Sequence, residues 1–359
     1  MNLDPNFLST TLVNLVGESW LDFALGHFDP LVGVSKTLAR VLAIKKESET
    51  AVSIELQPNK NWIGFIPGQF VPVRVVINGI VHERCYSLTG RPHTDTVQIT
   101  VKRHPGGRVS NWIADHLTVG TIIELGSVAG DFILPSPLPE KMLFIAGGSG
   151  ITPIYSMIRE ILNEHPEADI VLGYYSHQAT DAIFLKDLQA LQTTHPSFYL
   201  QLCVTKKTKK SDLVNSRFSD QQLQSYCADS ADRATFVCGP AGLIDAVVAH
   251  HEAAGLKGML HKEYFGLPPV VRAADASSEI TYLKSKRTLE TREPTLLQAA
   301  EQAGLKPKSG CRMGICNTCS CTKTEGIVRN ILTGEIDSGE SSRIRLCISE
   351  PLSAVTLDM

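Results

Sequence analysis

Met142-Leu143-Phe144-Ile145-Ala146-Gly147-Gly148-Ser149-Gly150-Ile151-Thr152-Pro153 sets five apolar residues in a row against three glycines and then a Thr-Pro pair. Five consecutive apolar residues before a turn signal read as a strand buried on both faces, as strands are in parallel sheets. The glycines allow a sharp turn and a close backbone approach to a ligand. Pro153 suits the first turn of a helix, where its missing amide proton costs nothing. A strand, a glycine turn and a helix N-terminus together form an anion site for a pyrophosphate. Gly147, Gly148, Gly150, Thr152 and Pro153 are its candidate residues.

Downstream, the pattern alternates. Strands are expected over 142–146, 170–175, 198–204 and 235–238, with helices over 153–164, 181–191 and 241–254. That alternation predicts a doubly wound α/β nucleotide domain spanning 137–268. Cys238-Gly239-Pro240 ends a strand, which is where ligands bind in such sheets.

Upstream, from 34 to 136, short strands such as 36–45, 51–56, 70–77 and 97–102 alternate apolar and polar residues between Gly and Pro breaks. This predicts an antiparallel β-barrel. Pro135-Ser136-Pro137-Leu138-Pro139 reads as a linker. Residues 1–33 stand apart. Leu8, Leu12 and Leu15 share a helical stripe beside Phe7, Val16, Trp20 and Phe23, and the segment holds no Lys or Arg. Its plain reading is a helix packed on its own domain; docking to a partner or a membrane surface is the second.

The chain has 359 residues, too many for one ordinary core, with 43% apolar and 20% charged residues. A net charge of −3 gives no global pointer to nucleic acid. No run of apolar residues is long enough to span a membrane, and the N-terminus lacks the regions of a signal peptide. The nine cysteines are an odd number, and five fall after residue 310. This argues against a disulfide framework, and a cytoplasmic location is expected.

Those five cysteines decide the C-terminal part. Cys311, Cys316 and Cys319 are spaced as Cys-x4-Cys-x2-Cys, and Cys347 follows 27 residues later. This is the plant-type [2Fe–2S] pattern: three thiolates from one loop and a fourth from a distant segment that closes the site. A structural zinc site would show two close pairs instead. Gly310 and Gly314 let the loop backbone approach a cluster. Cys321 alternates with Cys319 and reads as a bystander. A hairpin over 279–290 and a helix over 295–303 precede the loop, so an α+β domain is expected over 278–359, after a linker at 269–277.

Within the barrel, Arg84-Cys85-Tyr86-Ser87-Leu88 ends a strand-like run, and Gly106-Gly107-Arg108-Val109-Ser110 opens a helix over 111–117. Tyr86 can lie on a flavin ring, Arg84 suits a phosphate, and Ser87 can hydrogen-bond near flavin N5. Amides at the helix start suit a second phosphate contact.

In this order, the motifs resemble the ferredoxin–NADP reductase superfamily. Within it, residues 34–359 resemble reductases of oxygenases, hydroxylases and desaturases, built as flavin barrel, nucleotide domain and C-terminal ferredoxin of β-grasp fold. The resemblance implies FAD held by Arg84, Tyr86, Ser87, Leu88, Gly106, Gly107 and Ser110. Phthalate-dioxygenase-type relatives use FMN, and FAD is preferred. It places Cys238, with Gly239 and Pro240, beside nicotinamide C4, and sets Glu263 and Phe265 of Glu263-Tyr264-Phe265 against the flavin. Ser87, Cys238 and Glu263 are then the candidate catalytic residues. The implied route is NAD(P)H to flavin as hydride, then single electrons to the cluster and on to a protein acceptor.

Relatives that prefer NADPH often carry an arginine after the second strand of the nucleotide domain, where this chain has His177. Lys206, Lys207, Lys209, Lys210 and Arg217 could also meet a 2′-phosphate, so the reading leans to NADPH over NADH. The 278–359 segment carries 11 basic and 10 acidic residues. A ferredoxin tethered to its reductase needs no strong charge to find it. The N-terminal segment and the 318–329 stretch lean toward desaturase reductases. Two other readings stay open: a non-enzymatic redox sensor, and a reductase subunit of dihydroorotate-dehydrogenase type. The 27-residue gap before Cys347 speaks against the second.

Overall fold

The computed structural model describes residues 31–205, 217–256, 259–265, 277–314 and 317–359. The helix expected in 1–30, the lysines at 206–210, most of the 269–277 linker and Cys316 lie outside the described residues.

The chain divides into two compact units, residues 1–239 with 245–263 and residues 240–244 with 264–359. In the first unit, six strands form one antiparallel sheet: β1 (Thr37–Lys46), β2 (Ala51–Pro58), β3 (Phe70–Ile77), β4 (Ile80–Ser87), β5 (Val97–Lys102) and β6 (Ile122–Leu125). Their order is β4-β3-β6-β1-β2-β5. A bridge between Leu88 and Ile99 ties the two edges, so the sheet curls back on itself. Alternation drives this closure. Ala39, Val41, Ile54, Leu56, Val71, Val73, Val97 and Ile99 are fully buried along the inner face. Helix α1 (Arg108–His116) lays Val109 and Ile113 on that core. It starts three residues earlier than expected because Gly107 already serves as its N-cap.

The same unit holds a five-stranded sheet of β7 (Lys141–Gly147), β8 (Asp169–Ser176), β9 (Phe198–Val204), β10 (Ala234–Gly239) and β11 (Leu260–Tyr264). Its order is β11-β10-β7-β8-β9, with β7, β8, β9 and β10 mutually parallel. Met142 through Ala146 are fully buried, as their unbroken apolar run requires. Helices α2 (Ile151–Glu164), α3 (Leu185–Thr194), α4 (Asp220–Tyr226) and α5 (Ala241–Ala253) connect the strands. The expected 181–191 helix begins later, because Phe184 takes a left-handed conformation (φ 60°) at its N-cap. Helix α4 escaped the sequence reading although Ser219 and Gln222 have capping spacing. The Ser219 side chain accepts from the Gln222 amide.

In the second unit, β12 (Ser278–Tyr282), β13 (Arg287–Thr291), β14 (Ser320–Glu325), β17 (Ser342–Arg345) and β19 (Val355–Leu357) form a sheet of order β13-β12-β19-β14-β17. A small sheet joins β15 (Val328–Asn330), β16 (Ile336–Asp337) and β18 (Ser349–Pro351). β12 pairs antiparallel with β13 and parallel with β19. Helix α6 (Leu296–Gln302) is capped by Thr295, which accepts from the Gln298 amide. It buries Leu296, Leu297, Ala299 and Ala300 on this unit's core. A helix laid across a mixed sheet is the expected β-grasp arrangement.

Lys323 is fully buried in this unit. Its ammonium donates to the Gly326 carbonyl at 2.8 Å and to the Gly339 carbonyl, and it lies 3.5 Å from the Asp337 carboxylate. These acceptors compensate its desolvation. No helix among the described residues is long and apolar enough to cross a membrane.

Candidate functional site

In the parallel sheet the chain runs from β7 outward through β8 to β9, then returns to add β10 on the other side of β7. The order reverses between β7 and β10, and a crevice opens at the carboxyl ends of strands flanking such a reversal. Gly147 ends β7, Gly239 ends β10, and Ala146 is directly paired with Cys238. Gly148 to Gly150 form a single 3-10 turn that runs into α2. Two glycines here are sterically required. Gly148 has φ 55°, and a Cβ on Gly150 would collide with the Cys238 carbonyl. The Thr152 hydroxyl donates to the Ser149 carbonyl at 2.9 Å, and the buried Tyr174 hydroxyl donates to the Gly148 carbonyl at 3.3 Å. The loop's amides are therefore held toward the crevice for an anion.

Lys102, the last residue of β5, adds a charge that the sequence reading missed. Its Nζ lies 3.7 Å from where a Cβ on Gly148 would stand. Only the tertiary fold brings it to the glycine turn, 46 residues away. Arg159 on α2 likewise reaches across, donating to the Thr89 carbonyl at 3.2 Å.

At the end of β10, Cys238 is fully buried. Its sulfur lies 4.0 Å from Glu263 Oε2 on β11. Burial pushes the Glu263 carboxyl up to about 8. Burial, and then the nearby carboxylate, push the Cys238 thiol well above its ordinary value. Both groups are therefore uncharged at neutral pH. Two residues back on each strand, Phe236 and His261 stack with centroids 4.5 Å apart. Burial lowers the His261 pKa.

On the curled sheet, Arg84, Tyr86 and Ser87 follow one another at the end of β4, opposite Val73, Val71 and Phe70 of β3. Arg84 donates to the Glu83 carbonyl at 2.7 Å, and Ser87 and Leu88 are buried. Burial raises the Tyr86 phenol, which stays protonated. Gly106 has φ 71°. A Cβ on Gly107 would sit 2.5 Å from Ser110 Oγ, which accepts from the His104 amide at 3.3 Å. Glycine 107 thus leaves room above the first turn of α1.

In the second unit, Cys311, Cys319 and Cys347 are buried. The sulfurs of Cys319 and Cys347 stand 3.3 Å apart although 28 residues separate them in sequence. That is far beyond the 2.0 Å of a disulfide and close enough for both to ligate one iron. The hydrogen bond between them lowers Cys319 and raises Cys347, because the pair holds one proton more readily than two or none. The Met313 amide donates to Cys311 Sγ at 3.4 Å. A buried thiol set with amide donors fits the iron–sulfur group. Cys316 lies outside the described residues. Cys321 is half-buried on β14 and bonds the Thr322 carbonyl at 3.5 Å. Arg345 donates to the Gly314 carbonyl, tying β17 to the cysteine loop. Phe265 is half-buried, and His177 lies 3.3 Å from the Thr205 hydroxyl through Nδ1.

Three family descriptions match successive parts of the chain. They are an oxidoreductase FAD-binding domain over 39–133, an oxidoreductase NAD-binding domain over 144–249, and a 2Fe-2S iron-sulfur cluster binding domain over 280–352. An "NADPH oxidoreductase" of Mycobacterium tuberculosis is 31% identical over 92% of this chain and 86% of its own. A "Glycine betaine monooxygenase reductase subunit" of Chromohalobacter salexigens is 28% identical over 82% of this chain and 87% of its own. The fold is shared with phthalate dioxygenase reductase, at a TM-score of 0.62 and 23% identity over 90% of this chain and 98% of that one. With a FAD barrel, a nicotinamide-binding parallel sheet and a C-terminal [2Fe–2S] domain in one chain, this protein belongs to the ferredoxin–NADP reductase superfamily, as an NAD(P)H-dependent electron-transfer oxidoreductase.

Proposed function

We propose that the chain is the reductase component of an oxygenase system, giving electrons singly to a protein oxygenase or hydroxylase. The observation that carries this reading is the Cys319–Cys347 sulfur pair, 3.3 Å apart in the unit that follows the nucleotide sheet. A protein that only oxidised NAD(P)H for a small acceptor would need no such thiol set. Relatives described as reductase subunits of glycine betaine monooxygenase and of 1,2-phenylacetyl-CoA epoxidase support an oxygenase over a desaturase as acceptor.

When bound, a flavin takes hydride as a two-electron unit and a [2Fe–2S] cluster carries one electron at a time. The chain's own residues orient these groups. Arg84 offers a cation to the flavin phosphates, Tyr86 packs on the ring, and Ser87 donates toward its edge. Gly106, Gly107 and Ser110 open the first turn of α1 to a phosphate. Gly147, Gly148, Gly150, Thr152 and Pro153 hold the dinucleotide pyrophosphate, with Lys102 supplying positive charge. Cys238, with Gly239 and Pro240, lines the nicotinamide end, and Glu263 keeps a proton there at neutral pH. Phe265 shields the flavin. Cys311, Cys316, Cys319 and Cys347 ligate the cluster.

In this reading the flavin, nucleotide and ferredoxin domains are 34–136, 137–268 and 278–359, and the protein works in the cytoplasm. The name of the mycobacterial relative supports NADPH as the donor. The test is add-back of the protein to a cell extract depleted of it, with oxygenase turnover as the readout. Wild type should restore turnover and Cys347→Ser should not. Restoration by both would reject the reading.

A further inference from the structure

The cysteine loop is charged in one sense only. Between Gln302 and Thr324 the sequence has Lys306, Lys308, Arg312 and Lys323 and no carboxylate. Lys323 is buried and paired with Asp337, so it adds nothing to the surface. Lys306, Lys308 and Arg312 are exposed. Arg287, on β13, reaches the end of α6 at the entry to this loop. It donates to the Ala303 carbonyl at 2.6 Å, and its guanidinium lies 3.6 Å from where a Cβ on Gly304 would stand. Against these four cations stands Glu301, which is spent on Arg312. Neither Lys306 nor Lys308 has an ion pair among the described residues. Leu332, 44% exposed, places its side chain within 2.9 Å of a Cβ built on Gly314, beside Cys311. An exposed leucine next to the buried cysteines, with cations along the loop, has the make-up of a transient docking site, an apolar centre with a charged rim.

We propose that the electron acceptor docks on this loop through an acidic face, opposite in sign to what the whole chain's net charge of −3 would favour. This rests on the reading of the cluster as the electron exit. Exposed charges within a Debye length of about 10 Å at 0.1 M salt steer a partner. Water screens the same charges, so they shift a buried cluster's potential little.

Two heme proteins of one fold and opposite charge serve as probes: native cytochrome c, which is basic, and succinylated cytochrome c, which is acidic. NADPH-driven reduction of each is measured at about 20 mM and 300 mM NaCl on wild type, Lys306→Glu/Lys308→Glu and Cys347→Ser. For wild type at low salt, kcat/KM should be at least about fivefold higher with the acidic probe, and the gap should close at high salt. The double reversal should invert the preference while ferricyanide reduction and the cluster's midpoint potential stay unchanged. A preference for native cytochrome c, or an acidic preference that survives the double reversal, overturns the proposal. A preference lost together with a shifted midpoint potential also overturns it, because the lysines would then act on the cluster rather than on the partner. Cytochrome reduction that persists undiminished in Cys347→Ser is a separate failure, of the exit route itself.

Discussion

Glu263 Oε2 stands 4.0 Å from the sulfur of Cys238, at the carboxyl ends of two neighbouring strands of the parallel sheet. Each is the second member of a cross-strand pair. The first pair, Phe236 and His261, stacks at 4.5 Å beneath it. The aromatic pair keeps water from one side of the carboxyl, and that burial is what raises its pKa to about 8. The crevice end of the sheet therefore presents a thiol and a carboxylic acid, both neutral, where a charged nicotinamide ring would otherwise meet a charged floor.

The raised carboxyl has a measurable signature in stability. From its ordinary value of 4.5 up to about 8, the unfolded chain carries a carboxylate at this position while the folded chain keeps the proton. The folded state then binds more protons, so stability is fully present at low pH and is lost as pH rises across that window. Glu263→Gln removes the titrating group. Its Tm should match wild type near pH 5 and exceed it near pH 8.5. Equal melting curves at both pH values would mean that Glu263 is ionised in the fold.

Lys102 should act on nucleotide binding rather than on turnover, since it sits at the glycine turn and not at the strand ends where chemistry is expected. A charge-assisted hydrogen bond to a phosphate is worth about 1.5–3 kcal/mol, or roughly 10–100-fold in affinity. Lys102→Ala should raise KM for NADPH by that factor and leave kcat within about threefold in a dye-reduction assay. Loss of kcat at unchanged KM would place the lysine elsewhere in the reaction.

Legibility followed sequence distance. The glycine turn, the strand before it and the helix after it are contiguous, and their chemistry is local, so β7 and α2 differ from expectation by one or two residues at each end. The hairpin of β12 and β13 and the capped helix α6 were equally local. The Cys319–Cys347 pairing was readable because thiolate spacing is a rule about ligands rather than about folding. Lys102 was not readable. It belongs to one sheet and serves another, and no pattern within β5 distinguishes it from a solvated strand end. The Cys238–Glu263 contact depends on β11 returning to pair with β10, and five residues give too short a pattern to announce that pairing. The left-handed Phe184, which delays α3, carries no signal at all, because aromatic residues rarely adopt that conformation.

His177 bears on the choice of donor. It occupies the position after β8 where an arginine would pair with a 2′-phosphate, and its Nδ1 lies against the Thr205 hydroxyl. A histidine is largely neutral at pH 7.5 and cannot form a bidentate phosphate contact. Discrimination between NADPH and NADH should therefore be modest, on the order of tenfold, or about 1.4 kcal/mol. His177→Arg should widen it in favour of NADPH. Steady-state kcat/KM with both nucleotides on the two proteins measures this. A preference near a thousandfold in wild type would locate the 2′-phosphate contact outside His177.

Cluster loss should separate the two halves of the reaction. The flavin and nucleotide sheets share one compact unit, and the cysteines Cys311, Cys319 and Cys347 belong to the other. Hydride acceptance needs only the first. Cys347 is buried beside Cys319, so replacing its sulfur by a hydroxyl removes one thiolate from the set without opening the core. Cys347→Ser should therefore lose the [2Fe–2S] absorbance and its EPR signal, and Cys311→Ser, Cys316→Ser and Cys319→Ser should do the same. Cys321→Ser should keep both, because Cys321 spends its thiol on the Thr322 carbonyl. Ferricyanide is small enough to reach a flavin edge directly, so its NADPH-driven reduction by Cys347→Ser should stay within about twofold of wild type. Oxygenase turnover should fall to background in the same preparation, because a protein acceptor is too bulky to follow ferricyanide to the flavin. The informative quantity is the ratio of the two rates across wild type, Cys321→Ser and Cys347→Ser. If dye reduction collapsed with the cluster, the two units would not work independently; if oxygenase turnover survived its loss, electrons would leave from the flavin.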